Sequence, residues 1–103
     1  MKIIVVGAGK VGYSLCERLV QDDHDVYLID RSQERIHNLE NTLDVSLVCG
    51  NGSDIQLLNE IDLSDVGMFI SVTDSDEVNM LSCAVANSRC SIYCSSCEGY
   101  KYR

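Results

Sequence analysis

Ile3-Ile4-Val5-Val6 is a run of β-branched residues that stops at Gly7, and it constrains the fold more than any other stretch. A strand wetted on one face alternates apolar with polar residues, whereas one that is apolar throughout must be covered on both faces. Similar segments return three times, in "DVYLID" (25–30), "DVSLVCG" (44–50) and "MFISV" (68–72). Between them the period lengthens to that of a helix. Val11, Leu15 and Leu19 recur every fourth residue with Cys16 and Val20 beside them, and the pattern ends near Asp22-Asp23. Ser32 reads as the N-cap of a helix whose face continues through Arg35, Ile36 and Leu39. A short helix from about Asp54 to Glu60 turns Ile55, Leu58 and Ile61 inward, and one from Asp74 to about Arg89 carries Val78, Leu81 and Val85 at helical spacing. This alternation predicts an α/β fold, a doubly wound Rossmann-like parallel sheet with helices on both faces. At 103 residues the chain reads as one domain, 1–103, in which Ser91–Cys94 can add a fifth strand and 91–103 is otherwise an atypical, aperiodic tail.

Charge excludes whole classes of partner. Sixteen acidic residues stand against eight basic ones, a formal −8, which is the wrong sign for gripping nucleic acid or an anionic membrane surface. No apolar run approaches the roughly 20 residues that span a bilayer, so direct membrane insertion is not expected. A cytoplasmic protein is expected, with its six cysteines as reduced thiols.

The turn after the first strand, Gly7-Ala8-Gly9-Lys10-Val11-Gly12, has the spacing of a dinucleotide-binding turn. The motif alone is weak, but here it follows a strand, opens a helix and is answered by Asp30 at the end of the second strand. In such a turn Gly7 permits the tight bend, Gly9 lets a pyrophosphate approach the backbone and Gly12 lets helix and strand pack closely. Asp30 would accept the hydroxyls of an adenosine ribose and repel a 2′-phosphate, which favours NAD or NADH over NADP. Arg31 beside it could meet a phosphate. Lys10 can reach the phosphates as a mobile charge or remain a solvated lysine at a helix start.

The remaining chemistry-bearing residues carry less. His24 and His37 fall in a turn and on a polar helix, away from the carboxyl ends of the strands where ligands bind, and read as surface histidines. Asp74, Asp76 and Glu77 could collect a divalent cation or simply compensate a helix dipole. Cys90, Cys94 and Cys97 have the C-x3-C-x2-C spacing of a cluster motif, but they end a small chain and read as thiols in a tail. Cys16, Cys49 and Cys83 stand at apolar positions as small core residues.

Four segments taken together, "KIIVVGAGKVGYSLCERL", "HDVYLID", "VCGNGSD" and "SVTDSDEVNMLSC", closely resemble the regulatory nucleotide-binding domain of Trk-type potassium-uptake systems, also called KTN or RCK domains. The resemblance runs over roughly residues 1–88. It implies a cytosolic regulatory module, peripheral to the membrane, that binds NAD(H), or alternatively ATP or ADP, and assembles as a homo-oligomer beneath a membrane potassium transporter. It further implies that the loop after the third strand, with Asn51 and Gly52, lies near the adenosine end of the ligand, and that the loop after the fourth, with Thr73 and Asp74, lies near the phosphates. A non-enzymatic sensor is the leading expectation, and the cofactor half of an NAD-dependent dehydrogenase is the alternative. A dimer surface is expected on the last helix, where Met80, Cys83, Ala84 and Ala86 widen the apolar face.

Overall fold

The computed structural model describes residues 1–86 and the backbone of 91–94. Five strands, β1 (Lys2–Val6), β2 (Asp25–Asp30), β3 (Ser46–Cys49), β4 (Val66–Ser71) and β5 (Ser91–Cys94), alternate with four helices, α1 (Lys10–Gln21), α2 (Gln33–Leu39), α3 (Ile55–Ile61) and α4 (Asp76–Ala86). All strand pairs are parallel and their order is β3-β2-β1-β4-β5, the doubly wound arrangement that the alternation predicts. A single 3₁₀ turn, Leu63–Asp65, leads from α3 into β4.

The two-residue period of β1 sorts the core. Ile4 and Val6 point to one face of the sheet, where Ile29 and Phe69 meet Leu58 of α3 and Cys83 and Ala86 of α4. Ile3 and Val5 point to the other, where Val26, Leu28 and Ile70 meet Cys16, Leu15 and Leu19 of α1 and Leu39 of α2. Both faces of β1 are covered, which is why its sequence shows no polar position between Ile3 and Val6.

Three apolar residues expected inward are not. Val11 is 65% exposed, Ile55 51% and Leu81 57%. In α1 the residue pressed on the sheet is Gly12, and Gly12 with Cys16 sets the buried stripe, so Val11 falls outside it. In α4 the buried face is Asn79, Ser82, Cys83 and Ala86, rotated from the Val78–Leu81–Val85 line because Asn79 is drawn down onto the end of β4. Cys49, expected in the core, is also exposed, whereas Cys16 and Cys83 are buried; β3 is an edge strand with both ends exposed. The helix read as reaching Arg89 is described to Ala86, and Cys90 and Cys97 lie outside the described residues, as do the side chains of 91–94.

β1 is the switch point of the sheet. One crossover leaves it toward β2 and the other side of it pairs with β4, so the loops that follow these strands diverge and leave a crevice at their carboxyl ends. Backbone bonds hold that rim in register: Gly7 N–H donates to the Ile29 carbonyl at 2.8 Å, Gly50 N–H to Asp30 at 2.9 Å and Val72 N–H to Val6 at 2.8 Å.

Candidate functional site

The three glycines of the first turn have three different reasons. Gly7 has φ +115° and a Cβ there would press on the Val72 carbonyl, so both conformation and space demand glycine. A Cβ on Gly12 would overlap the Gly7 carbonyl oxygen, which fixes α1 tightly on the turn. Gly9 has neither reason. Its φ of −75° suits any residue, and a Cβ there would meet nothing nearer than Arg35 Nη1 at 3.9 Å. It is the N-cap of α1, yet offers no side-chain cap, and the first turn of α1 has no acidic residue. The helix therefore presents unpartnered N–H groups and its positive end, with Lys10 exposed as its first residue.

Asp30 sits below this turn with 8% exposure. Its Oδ1 accepts from Ala8 N–H at 2.9 Å and its Oδ2 accepts from Ser32 N–H at 2.9 Å. The carboxylate thus ties the glycine turn to the start of α2, where Ser32 Oγ accepts from Arg35 N–H at 3.2 Å as the expected N-cap. Each oxygen retains a further lone pair, so the tie leaves room for ribose hydroxyls.

A cleft of about 410 Å³ opens beside Asp30, and Arg31, Asn51, Gly52, Thr73 and Asp74 all line it. Six of the twelve sequence-nominated residues are therefore brought to one cavity. Gly7, Ala8, Gly9, Lys10, Val11 and Gly12 do not line it; they stand next to it, joined through Asp30. Each loop has a local cause. Asn51 Oδ1 accepts from Ser53 N–H at 2.9 Å and from Ser53 Oγ at 2.7 Å, closing the turn after β3, and a Cβ on Gly52 would overlap Val6, so this turn folds down onto β1. Asp54 then caps α3 by accepting from Gln56 N–H at 3.0 Å.

The loop after β4 is organised by a residue that the sequence did not nominate. Asn79, fully buried on α4, accepts at Oδ1 from Thr73 N–H (2.9 Å), Thr73 Oγ1 (2.6 Å) and Ser71 Oγ (2.9 Å), and its Nδ2 donates to the Thr73 carbonyl at 3.1 Å. Ser75 Oγ accepts from Val78 N–H at 3.2 Å and Ser75 lines the cleft. Arg35 was missed too. It was read as part of a helical face, but its guanidinium is 3.8 Å from Asp30 Oδ1 and it lines the cleft. A cation in the first turn of a helix opposes the dipole, and that was the available signal.

His24 and His37 are outside the cleft; His37 Nδ1 instead pairs with Glu40 at 2.9 Å. Among the described residues no three His, Cys, Asp or Glu side chains converge as a metal site, the acids at 74, 76 and 77 included. No helix among them is long and apolar enough to cross a membrane.

Both the fold and the sequence of this chain have counterparts among known proteins. The fold is similar, with TM-score 0.75, to the NAD(P)-binding domain of an exopolyphosphatase-related protein from Archaeoglobus fulgidus, at 26% identity over 84% of this chain and 64% of that one. It is equally similar in fold, at 20% identity, to a segment of the GsuK channel bound to NAD, covering 86% of this chain and 16% of that one. In sequence, 88 residues are 41% identical to the Trk system potassium uptake protein TrkA of Halomonas elongata, covering 85% of this chain and 19% of the relative, so the chain spans about a fifth of that protein's length. The family model of the TrkA-N domain matches residues 3–96, and with that match this chain belongs to the TrkA-N domain family.

Proposed function

We propose that this domain is the nucleotide-sensing part of a regulatory, non-enzymatic component of a potassium-uptake system, that it binds NAD or NADH at the Asp30 cleft, and that it acts from the cytoplasmic side on a membrane potassium transporter. The observation that carries the ligand reading is Gly9: neither backbone conformation nor packing within the chain accounts for the missing side chain, whereas the close approach of a pyrophosphate does. The donor set agrees. The start of α1 and Lys10 would hold the phosphates, Asp30 the ribose hydroxyls, and Asn51 and Gly52 the adenosine end, with Thr73 and Asp74 closing the other side. The names of the relatives support the transport role, and the NAD bound to GsuK supports the ligand class.

Sensing requires that binding favour one assembly state over another. Asn79 links Thr73, in the cleft, to α4, and α4 turns Met80 and Leu81 outward. A change in the Thr73–Asp74 loop is thereby passed to a face available to a neighbouring subunit. ATP or ADP would use the same turn and acid, and the titration below separates them.

Calorimetric titration of the chain with NAD, NADH, NADP, ATP and ADP tests the reading. NAD or NADH is expected to bind, with NADP at least several-fold weaker because Asp30 would face the extra phosphate. Asp30→Asn should weaken NAD about tenfold or more through loss of a charge-assisted bond. Equal affinity for NAD and NADP, or an unchanged constant in Asp30→Asn, would remove Asp30 from the ribose.

A further inference from the structure

We infer that Arg35 is a phosphate-recognising residue that exchanges partners on binding, holding Asp30 when the cleft is empty and a phosphate oxygen of the nucleotide when it is filled. The inference rests on the nucleotide reading above and names the group that reads the ligand's charge.

Arg35 both lines the cleft and faces Gly9. Its Nη1 is 3.8 Å from Asp30 Oδ1 and 3.9 Å from the position of a Gly9 Cβ, so it stands at the junction between the ribose side of the site and the glycine turn. The side chain is not fixed there. At 3.8 Å the contact with Asp30 exceeds hydrogen-bond reach, the side chain is 49% exposed, and the Asp30 oxygens are already engaged by Ala8 and Ser32 N–H groups. The Arg35–Asp30 pair is therefore a loose charge pairing that a better acceptor can replace.

The surroundings favour an anion at this point. The uncapped start of α1, Lys10 and Arg35 bring three sources of positive potential toward Gly9, while Asp30 is the near acid and Glu34 and Asp74 line the cleft farther along. A guanidinium offers two parallel N–H groups to phosphate oxygens. When ribose hydroxyls take up the free lone pairs of Asp30, Arg35 needs only to turn about its own side-chain torsions to meet a phosphate over Gly9.

The test compares ligands with and without phosphate on the intact chain: adenosine, AMP, ADP and NAD, by calorimetry, with chemical-shift titration for the weak binders. Arg35→Gln should weaken AMP, ADP and NAD about tenfold or more while leaving adenosine within about twofold, and Arg35→Lys should fall between. Equal weakening of adenosine and ADP would mean that Arg35 acts through Asp30 alone and would overturn the exchange. Unchanged affinities in Arg35→Gln, with the wild-type chain still binding NAD, would overturn this inference and leave the nucleotide reading standing. Failure of the wild-type chain to bind any of the four would overturn both.

Discussion

Gly9 and Gly12 are two residues of one motif with opposite obligations. A Cβ on Gly12 would overlap the backbone of Gly7, so Gly12→Ala is expected to cost about 3 kcal/mol of stability. Gly9→Val should fold normally, with a melting curve near that of the parent, and lose nucleotide binding. Paired thermal melts and titrations of the two variants check this; retained affinity in Gly9→Val would make the turn purely structural. Cys16 gives a pH prediction. Burial pushes its thiol up from the ordinary 9.0 to about 11, so above pH 9 the unfolded chain releases a proton that the folded one keeps. Stability should therefore decline as pH rises from about 9 toward 11, and Cys16→Ala should lose that component in urea melts across this range. The same decline in both proteins would exclude Cys16 as its source.

At the scale of elements, α4 and the end of β4 form one polar unit inside an apolar layer. Asn79 serves Ser71, the Thr73 N–H and carbonyl, and the Thr73 hydroxyl from a fully buried position. Removing it takes the partner from the buried Ser71 hydroxyl and from the part-buried Thr73 N–H and carbonyl, each costing about 1–3 kcal/mol, while the Thr73 hydroxyl keeps the Ser75 carbonyl. Asn79→Ala should lower stability by about 3 kcal/mol, the usual limit for a single substitution, and weaken nucleotide binding, since Thr73 and Asp74 lose their support. Denaturant melts give the first and calorimetry the second; an intact affinity would show that the loop is held without Asn79. This network also explains the rotation of α4, because satisfying Asn79 puts Cys83 and Ala86 on the sheet and leaves Leu81 to solvent.

For the whole molecule, that rotation redraws the expected contact surface. Cys83 and Ala86 are buried in the core, whereas Met80 at 53% and Leu81 at 57% exposure stand outward, with Ala84 exposed beside them. An association surface on α4 is accordingly centred on Met80 and Leu81. Light scattering of the intact chain is expected to show a dimer or larger species that Met80→Glu weakens and nucleotide alters, because a charge in a closing apolar contact must be desolvated without a partner. A monomer at high micromolar concentration, with and without NAD, would count against this surface.

What the sequence determined by itself is periodic or short-range. Strands apolar at every position require cover on both faces, so a parallel α/β sheet was legible in Ile3–Val6 and its successors, and Asp30 was legible because its place at the end of β2 is set by chain order. The Ser32 cap was equally local. Tertiary structure decided which side of each helix faces in, since Gly12 and Asn79 carry no hydrophobic signal yet dock closest to the sheet for reasons of space and hydrogen bonding. It also decided that Arg35 reaches Gly9: the two are 26 residues apart, and their approach depends on Asp30 clamping the start of α2 to the glycine turn, a juxtaposition in space for which no periodicity along the chain exists.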